Sequence, residues 1–284
     1  MSRAQLIRSE TLRQRLKQGD LVILDCRFAL DDPRYGLSAY QNGHLPGAHY
    51  LDLEQDLSAP VQPGVTGRHP LPDPDLLARR LRDCGVNHDS EIVVYDDGPG
   101  AFAARAWWLL MWLGKRDGVY LLDGGLKAWQ ASGGELTGQP APIQSGTFVG
   151  QPDNRLLIDA QTLQTRLNTA TLTLLDARAE ARFRGEVEPL DPVAGHIPGA
   201  QCAVFTENLD ADGHFLPPQA LRERFDALRD ERPVAEMVAY CGSGVTACHN
   251  LFAMSLAGYP LIPLYAGSWS EWITNPQRPV ARGN

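Results

Sequence analysis

An internal duplication constrains the fold of this chain more than any other feature of its sequence. Four segments of the first half recur in the same order in the second half. A repeat with so long a period predicts two copies of one domain rather than a solenoid. The paired segments are LVILDCR (21–27) with LTLLDAR (172–178), GHLPGA (43–48) with GHIPGA (195–200), IVVYDDGPG (92–100) with MVAYCGSGV (237–245), and VYLLDGGLKAW (119–129) with IPLYAGSWSEW (262–272).

The length of the chain agrees with two domains, because 284 residues exceed the usual size of a single domain. A stretch rich in Gly, Pro, Ser and Gln lies between the two copies, and this composition is typical of a linker. We therefore predict a first domain at residues 1–135, a linker at 136–152 and a second domain at 153–284.

Short aliphatic runs alternate with helical patterns in both halves. The runs LVIL, EIVVY and VYLL, and later LTLL, MVAY and IPLY, have the length and composition of buried strands. Helical patterns such as DPDLLARRLRDCGV and PQALRERFDALRD lie between them. This alternation predicts an α/β fold in which helices cover a mainly parallel sheet, with ligands bound beyond the carboxyl ends of the strands.

Composition indicates an ordinary globular protein, with 43% hydrophobic and 21% charged residues. The formal net charge of −8 and the isoelectric point near 5.4 disfavour nucleic acids and anionic membranes as partners. The sequence has neither a signal-peptide core at its start nor an apolar run long enough to span a membrane. The five cysteines are odd in number and scattered, which predicts free thiols and a cytoplasmic location.

One cysteine, Cys241, follows the predicted strand MVAY and begins the glycine-rich turn CGSG. The next segment has apolar residues at near-helical spacing and ends at Gly258. In a strand, glycine turn and helix, backbone N–H groups converge on the turn and the positive end of the helix points at it. Such a site favours a thiolate, the nucleophilic form of cysteine. The alternative is that Cys241 is a small buried residue at a tight junction.

The duplicate turn carries Asp96 at the position aligned with Cys241, so only the second half has the thiol. A carboxylate does not replace a sulfur nucleophile. This asymmetry predicts a single active centre in the second half, with the first copy retained as a scaffold or as one wall of the pocket.

Several cysteine chemistries compete for this turn. A phosphatase is disfavoured because Ala247 stands where cysteine-dependent phosphatases have a phosphate-binding arginine. A redox C-x-x-C motif is absent, since Cys248 lies seven residues after Cys241. A cysteine hydrolase remains open, with its base among three histidines, namely His69, His196 and His249.

The segments LLDAR, GHIPGA, YCGSGVTA and GSWSEW together resemble the rhodanese superfamily. The resemblance covers nearly the whole chain and is closest to the tandem-domain thiosulfate and 3-mercaptopyruvate sulfurtransferases. It implies an α/β fold of two tandem rhodanese-like domains, each with a parallel five-stranded sheet flanked by helices. In that family the second domain usually carries the cysteine, which matches the difference between Asp96 and Cys241.

The resemblance also implies a double displacement on Cys241. The thiolate takes a sulfane sulfur from a small-molecule donor and becomes a persulfide, and an acceptor thiol, thioredoxin or cyanide then removes the sulfur. No metal or organic cofactor is required, and we expect a monomer. Backbone N–H groups hold the persulfide in a cradle formed by Gly242, Ser243, Gly244, Val245 and Thr246.

The identity of the donor depends on a few side chains. In this family a neutral loop such as CGSGVT is typical of enzymes that use mercaptopyruvate. Arg182 matches an arginine with which those enzymes hold the carboxylate side of the donor, a role that suits a guanidinium group. Their second arginine is replaced here by Leu190, so thiosulfate remains the alternative donor.

Some members of the family activate the donor with a serine, a histidine and an acidic residue. Ser243 and His69 match the first two, and Glu54 takes the place usually held by aspartate. A further departure is Ala266, where relatives commonly have aspartate, and there we expect the loss of a local hydrogen bond.

Several conspicuous residues are expected to be structural because they occur in both copies, including the copy without the cysteine. His44 and His196 of the GH-x-PGA motifs should bind the backbone beside a tight turn. The Asp-x-Arg segments at 25–27 and 176–178 should form ion pairs at strand ends, since buried charges need partners.

The aromatic segment RAWWLLMWLG (105–114) predicts a buried helix rather than a base-stacking surface, because it lacks neighbouring basic residues. Cys248 and His249 lack further ligands at metal spacing, so we expect no zinc site. The class that competes with an enzyme is a catalytically silent sulfur-binding or regulatory module in which Cys241 is only buried.

Overall fold

A computed structural model describes residues 4–19, 21–142, 145–167 and 171–283. The chain divides into two compact units, and each follows one copy of the repeat together with a short segment from the other half of the chain. Unit 1 contains Met1–Ala59, Leu71–Asp153 and Leu209–Phe215, and unit 2 contains Pro60–Pro70, Asn154–Asn208 and Leu216–Asn284.

The predicted linker, 136–152, is grouped with unit 1. Phe148 is buried there, and its N–H donates to the carbonyl oxygen of Val86 at 3.0 Å. Two residues of this segment, Ile143 and Gln144, lie outside the described residues. Part of the segment is therefore attached to unit 1, and the boundaries at 135 and 153 stay predictions.

Unit 1 contains a five-stranded sheet in which the first, fifth, fourth, second and third strands along the chain lie side by side, with every neighbouring pair parallel. The runs LVIL, EIVVY and VYLL form three of its strands, as predicted. These runs are continuously apolar because a parallel sheet is buried on both faces. The strands are β1 (Gln5–Ile7), β2 (Leu21–Asp25), β3 (Ala48–Tyr50), β4 (Glu91–Tyr95) and β5 (Val119–Leu122).

Helices lie between these strands. One of them begins at Pro74, where the side chain of Asp73 accepts hydrogen bonds from the N–H groups of Asp75 and Leu76. The segment RAWWLLMWLG belongs to a helix that is buried along most of its length, as expected. The helices are α1 (Ser9–Leu16), α2 (Tyr35–Asn42), α3 (Pro74–Asp83), α4 (Ala101–Trp112) and α5 (Gly125–Ala131).

The sheet of unit 2 differs from the predicted five strands. Its described residues form three regular parallel strands, of which the first along the chain lies between the other two, and Leu264 adds parallel bridges to Ala239 and Leu157. Pro260 and Pro263 both precede Leu264 and lack the N–H groups that a regular ladder needs, so two strand positions shrink to single bridges. The strands are β6 (Thr173–Asp176), β7 (Ala200–Cys202) and β8 (Met237–Tyr240).

The helices of unit 2 follow the predicted pattern, including those assigned from PQALRERFDALRD and from the segment after CGSG. None of the described helices of the chain combines the length and apolar character needed to cross a membrane. The helices of unit 2 are α6 (Ala160–Arg166), α7 (Glu180–Phe183), α8 (Pro218–Arg229), α9 (Thr246–Leu256) and α10 (Ser268–Trp272).

The residues repeated in both copies are structural, as predicted. In the segments 25–27 and 176–178, Nη2 of the arginine lies 2.6 Å from Oδ2 of the aspartate, and both pairs are buried. Nδ1 of His44 and Nδ1 of His196 lie 2.7 and 2.8 Å from backbone carbonyl oxygens. These contacts stabilise the carboxyl end of the central strand and the following turn in each unit.

Candidate active site

Cys241 lies at the carboxyl end of β8 and is only 2% exposed. Its backbone N–H donates to Oγ of Ser268 at 3.1 Å, and its carbonyl oxygen accepts from the N–H of Trp269 at 3.0 Å. The N–H of Gly244 donates to the sulfur atom at 3.1 Å. Both backbone groups of Cys241 are therefore hydrogen-bonded, and one backbone N–H of the following turn points at its sulfur atom.

The turn after Cys241 requires glycine for two reasons. Gly244 has a φ of +79°, a left-handed conformation that favours glycine. A Cβ atom on Gly244 would lie 2.4 Å from the carbonyl oxygen of Ala266, so a side chain has no room there. Helix α9 then begins at Thr246 and directs its positive end toward the turn. The hydrogen bond that Ala266 was expected to lose stays a prediction.

The aligned turn of unit 1 holds a carboxylate in place of the thiol. Oδ1 of Asp96 accepts from the N–H groups of Gly98 and Gly100, and Oδ2 accepts from those of Phe102 and Ala103, all at 3.0 Å. Burial raises the pKa of Asp96 to about 6, although these four hydrogen bonds favour the ionised form. The repeat therefore places an anion-binding backbone turn after its central strand.

Ser243 and His69 form a pair beside the cysteine turn. Oγ of Ser243 lies 2.7 Å from Nδ1 of His69, and both residues are buried. His69 belongs to the segment Pro60–Pro70, which is part of unit 2. The third predicted member, Glu54, is an exposed residue of unit 1 whose backbone N–H donates to Oδ1 of Asp52 at 2.8 Å, and its role stays a prediction.

Arg182 presents one edge of its guanidinium group to two carboxylates. Nε and Nη2 donate to Oε1 of Glu188 at 3.1 and 2.7 Å, and Nη2 also donates to Oδ2 of Asp191 at 3.2 Å. An ideal Cβ on Gly242 would lie 3.5 Å from Nη1 and from Nη2, so the group lies close to the backbone beside Cys241. Nη1 has no hydrogen-bond partner among the described residues and is available to a ligand.

A second guanidinium group, which the sequence analysis missed, lies beside the first. Nη1 of Arg68 donates to Oδ1 of Asp191, the carboxylate that Arg182 also contacts. Nη2 of Arg68 would lie 2.9 Å from an ideal Cβ on Gly242. The motif GRHPLP contains this arginine, but it lies 123 residues from Asp191 along the chain, so no local pattern could place it.

The three histidines considered as bases have different surroundings. Nδ1 of His249 lies 3.1 Å from Nδ2 of Asn208 in a buried polar cluster, and the ring of His196 stacks on Phe183 at 3.8 Å between centroids. His69 contacts Ser243, a residue of the cysteine turn. Within the described ranges no group of three or more His, Cys, Asp or Glu residues is arranged to hold a metal ion.

All five cysteines are free thiols. Burial raises the pKa of Cys26 well above its usual value and raises the pKa of Cys84 and of Cys202 to about 11. These three thiols are therefore poor nucleophiles at neutral pH. Cys241 differs from them in receiving a backbone N–H at its sulfur atom from the turn that it begins.

The protein is a tandem repeat of one parallel α/β unit. The anion-binding turn holds a carboxylate in the first copy and a thiol in the second, so the repeat has one cysteine centre. The family model described as "Rhodanese-like domain" matches residues 9–132 and 159–275. The chain belongs to the rhodanese-like family and contains two copies of its domain.

Sulfurtransferases of other organisms are similar to this chain over nearly its whole length. It is 68% identical over 284 residues, 100% of both chains, to a Pseudomonas aeruginosa protein named "Probable 3-mercaptopyruvate sulfurtransferase". It is 44% identical over 287 residues, 98% of this chain and 97% of the relative, to a Mycobacterium tuberculosis protein named as a candidate thiosulfate sulfurtransferase. The solved 3-mercaptopyruvate sulfurtransferase of Escherichia coli matches with a TM-score of 0.78 and 31% identity, over 94% of this chain and 100% of that one.

Proposed function

We propose that the chain is a sulfurtransferase that moves a sulfane sulfur from 3-mercaptopyruvate, through a persulfide on Cys241, to a thiol or cyanide acceptor. The names of its relatives support the reaction class. The observation that carries the choice of donor is the contact of 2.7 Å between Ser243 and His69 beside the cysteine turn.

The chemistry of mercaptopyruvate explains why that contact matters. When the Cys241 thiolate attacks the donor sulfur, an S–S bond forms and the C–S bond breaks. The electron pair of the C–S bond passes to the methylene carbon and the keto oxygen as an enolate, and the proton of the donor thiol ends on that carbon. The products are the persulfide anion and pyruvate. Ser243, paired with His69, donates a hydrogen bond to the enolate oxygen.

The turn and the two arginines bind the charged parts of the reaction. Backbone N–H groups from Gly242 to Thr246 hold the persulfide anion, as the aligned turn of unit 1 holds the Asp96 carboxylate. Nη1 of Arg182 and Nη2 of Arg68, which both face Gly242, bind the donor carboxylate. Arg68 thereby supplies the second guanidinium that Leu190 does not.

Thiosulfate is the second candidate donor. Attack of Cys241 on its outer sulfur releases sulfite, and this step needs neither a proton nor an enolate stabiliser. The adjacent guanidinium groups of Arg68 and Arg182 favour it, because paired cations attract a dianion more strongly than a monoanion. The Mycobacterium tuberculosis relative supports the same alternative.

The proposed chemistry and the composition of the chain indicate the sulfur acceptor and the cellular location. The acceptor is a small thiol, thioredoxin or cyanide. Five free cysteines favour the reducing cytoplasm, and the formal charge of −8 disfavours nucleic acid. A monomer suffices for this chemistry. The part of Glu54 in donor activation is a proposal from the resemblance alone.

Steady-state sulfur transfer to a dithiol or cyanide, with each donor in turn, tests the proposal. We expect a larger kcat/KM for mercaptopyruvate than for thiosulfate. Ser243→Ala should lower kcat with mercaptopyruvate by about a hundredfold or more, as the loss of an oxyanion donor does, and should affect thiosulfate little.

Cys241→Ser is the control and should abolish transfer from both donors and the persulfide mass shift. A preference for thiosulfate, or an equal effect of Ser243→Ala on both donors, would contradict the mercaptopyruvate assignment. A wild-type protein that forms no persulfide with either donor would be a silent sulfur-binding module instead.

A further inference from the structure

Asp191 lies between the two arginines that face the cysteine turn. Its Oδ1 accepts from Nη1 of Arg68 and its Oδ2 accepts from Nη2 of Arg182 at 3.2 Å. Its side chain is 3% exposed, whereas those of Arg68 and Arg182 are 28% and 17% exposed. The carboxylate is therefore behind the guanidinium groups, and a ligand at the turn meets the arginines first.

The charges around this carboxylate cancel. Arg178 pairs with Asp176 and Glu188, Glu188 also pairs with Arg182, and Asp191 pairs with Arg182 and Arg68. This continuous chain holds three arginines and three carboxylates, so its formal charge is zero. Two guanidinium groups at the turn would suit a dianion, but the buried carboxylates remove the net positive charge that a dianion needs.

We infer that Asp191 determines the charge class of the sulfur donor. Its buried carboxylate subtracts one charge from the Arg68 and Arg182 pair, so the site selects a donor with one negative charge over a donor with two. This inference rests on the proposed function for the identity of the two donors. It assigns a specificity role to a residue that touches the arginines and not the reacting sulfur.

The size of the effect follows from Coulomb's law. Replacing Asp191 by the isosteric asparagine leaves one uncompensated positive charge within a few ångströms of the donor. A dianion gains twice the interaction energy of a monoanion with this charge. In a partly solvated site the difference corresponds to roughly a three- to tenfold change in relative affinity.

The experiment compares the wild type with Asp191→Asn in two assays. The first measures kcat/KM for thiosulfate and for mercaptopyruvate. The second measures the concentrations of sulfate and of pyruvate that protect Cys241 from alkylation by iodoacetamide. We expect both the thiosulfate-to-mercaptopyruvate ratio and the relative protection by sulfate to rise roughly three- to tenfold, with the larger change at low salt.

Glu186→Gln is the matched control, since it removes one negative charge from the same loop but from a side chain that is 60% exposed. Solvent and salt screen that charge, so neither ratio should change. A role of Asp191 in positioning alone would lower the kcat/KM of both donors together and leave the ratios unchanged, and that result would overturn the inference.

Two further outcomes are distinguishable. If Asp191→Asn does not fold, Glu188→Gln removes the other buried carboxylate of Arg182 and carries the same expectation. If neither donor supports transfer, the proposed function fails, yet the protection assay still reports whether Asp191 controls the charge of the anion bound beside Cys241. An unchanged or reduced preference for sulfate in that assay would refute the inference by itself.

Discussion

At the residue scale, the two arginines show how one side chain serves packing and binding at once. Arg182 uses Nε and Nη2 on Glu188, and Arg68 uses Nη1 on Asp191. These contacts fix the plane of each guanidinium group. Nη1 of Arg182 and Nη2 of Arg68 face Gly242 and remain available to an anion, because a planar group with several donors can bind on two edges.

Removal of either guanidinium should therefore weaken donor binding more than it weakens the fold. We expect Arg182→Ala and Arg68→Ala each to raise KM for mercaptopyruvate roughly tenfold to a hundredfold, the usual value of a hydrogen bond to a charged group. The fold should lose less, because Arg178 still contacts Glu188, and whichever of the two arginines remains still contacts Asp191. Steady-state kinetics and thermal unfolding measure the two effects separately.

Arg184→Ala is the control for these variants. Its side chain is 38% exposed, and within the described part of the chain its ion pairs are with surface glutamates of the same segment, so KM and melting temperature should both stay close to the wild type. A loss of melting temperature in Arg182→Ala or Arg68→Ala that matches the loss of activity would show that these arginines are structural.

At the element scale, the start of the last helix in each unit explains how the cysteine is held. Gly125 in unit 1 and Ser268 in unit 2 are aligned and have φ angles of +58° and +56°. Glycine adopts this left-handed conformation freely, whereas serine is strained in it. In return, Oγ of Ser268 accepts from the N–H of Cys241 and donates to the carbonyl oxygen of Tyr265 at 2.9 Å.

Two substitutions of Ser268 distinguish the cost of its backbone strain from the contribution of its hydrogen bond to Cys241. Ser268→Ala keeps the left-handed strain and leaves the buried Cys241 N–H unpaired, so the free energy of unfolding should fall by about 1–3 kcal/mol. Ser268→Gly also loses the hydrogen bond but relieves the strain, and its stability should lie closer to the wild type.

Both Ser268 variants should transfer sulfur more slowly than the wild type, because the backbone of Cys241 is no longer fixed. Urea unfolding and kcat with mercaptopyruvate are the measurements. Full activity in Ser268→Gly would show that this hydrogen bond has no part in positioning the cysteine.

At the scale of the whole molecule, the two copies of the repeat differ at the residue that begins the turn after the central strand. Unit 1 carries the carboxyl group of Asp96 where unit 2 carries Cys241. Both units keep the Asp-x-Arg pair, the motif histidine and the glycine-rich turn. The frame of the turn therefore persists in the copy that lacks the thiol.

Asp96 should make stability depend on pH. Burial raises its pKa from the usual value of 3.8 to about 6, so the folded state binds a proton more tightly than the unfolded state does. Its contribution is fully present below about pH 4 and is lost as the pH rises through 6, a change of about 3 kcal/mol. Asp96→Asn should remove this component from the pH dependence of urea unfolding.

Asp31→Asn, at an exposed position, is the control and should leave the pH dependence unchanged. The difference between wild type and variant isolates Asp96 from the other carboxylates. If Asp96→Asn and the wild type lose the same stability between pH 4 and pH 7, the four backbone hydrogen bonds outweigh burial and the pKa of Asp96 is not raised.

Much of this protein is predictable from its sequence, because the signals are local. Continuous apolar runs mark the strands, and the repeated motifs mark two copies of one unit. The CGSG turn marks Cys241 as the candidate nucleophile. Ser243 and His69 were predicted as partners from resemblance, and the structure brings their side chains together.

The sequence by itself determined the repeat, the α/β class and the position of the thiol, since each depends on neighbours along the chain. The tertiary structure alone decided that Arg68 joins Arg182, that Asp191 lies between them and that Ser268 holds Cys241. It also decided that the outer strands of the second sheet shrink to bridges at Leu264. These contacts join residues that are far apart in the chain. Their partners depend on how packed elements meet, and no periodicity or motif records that.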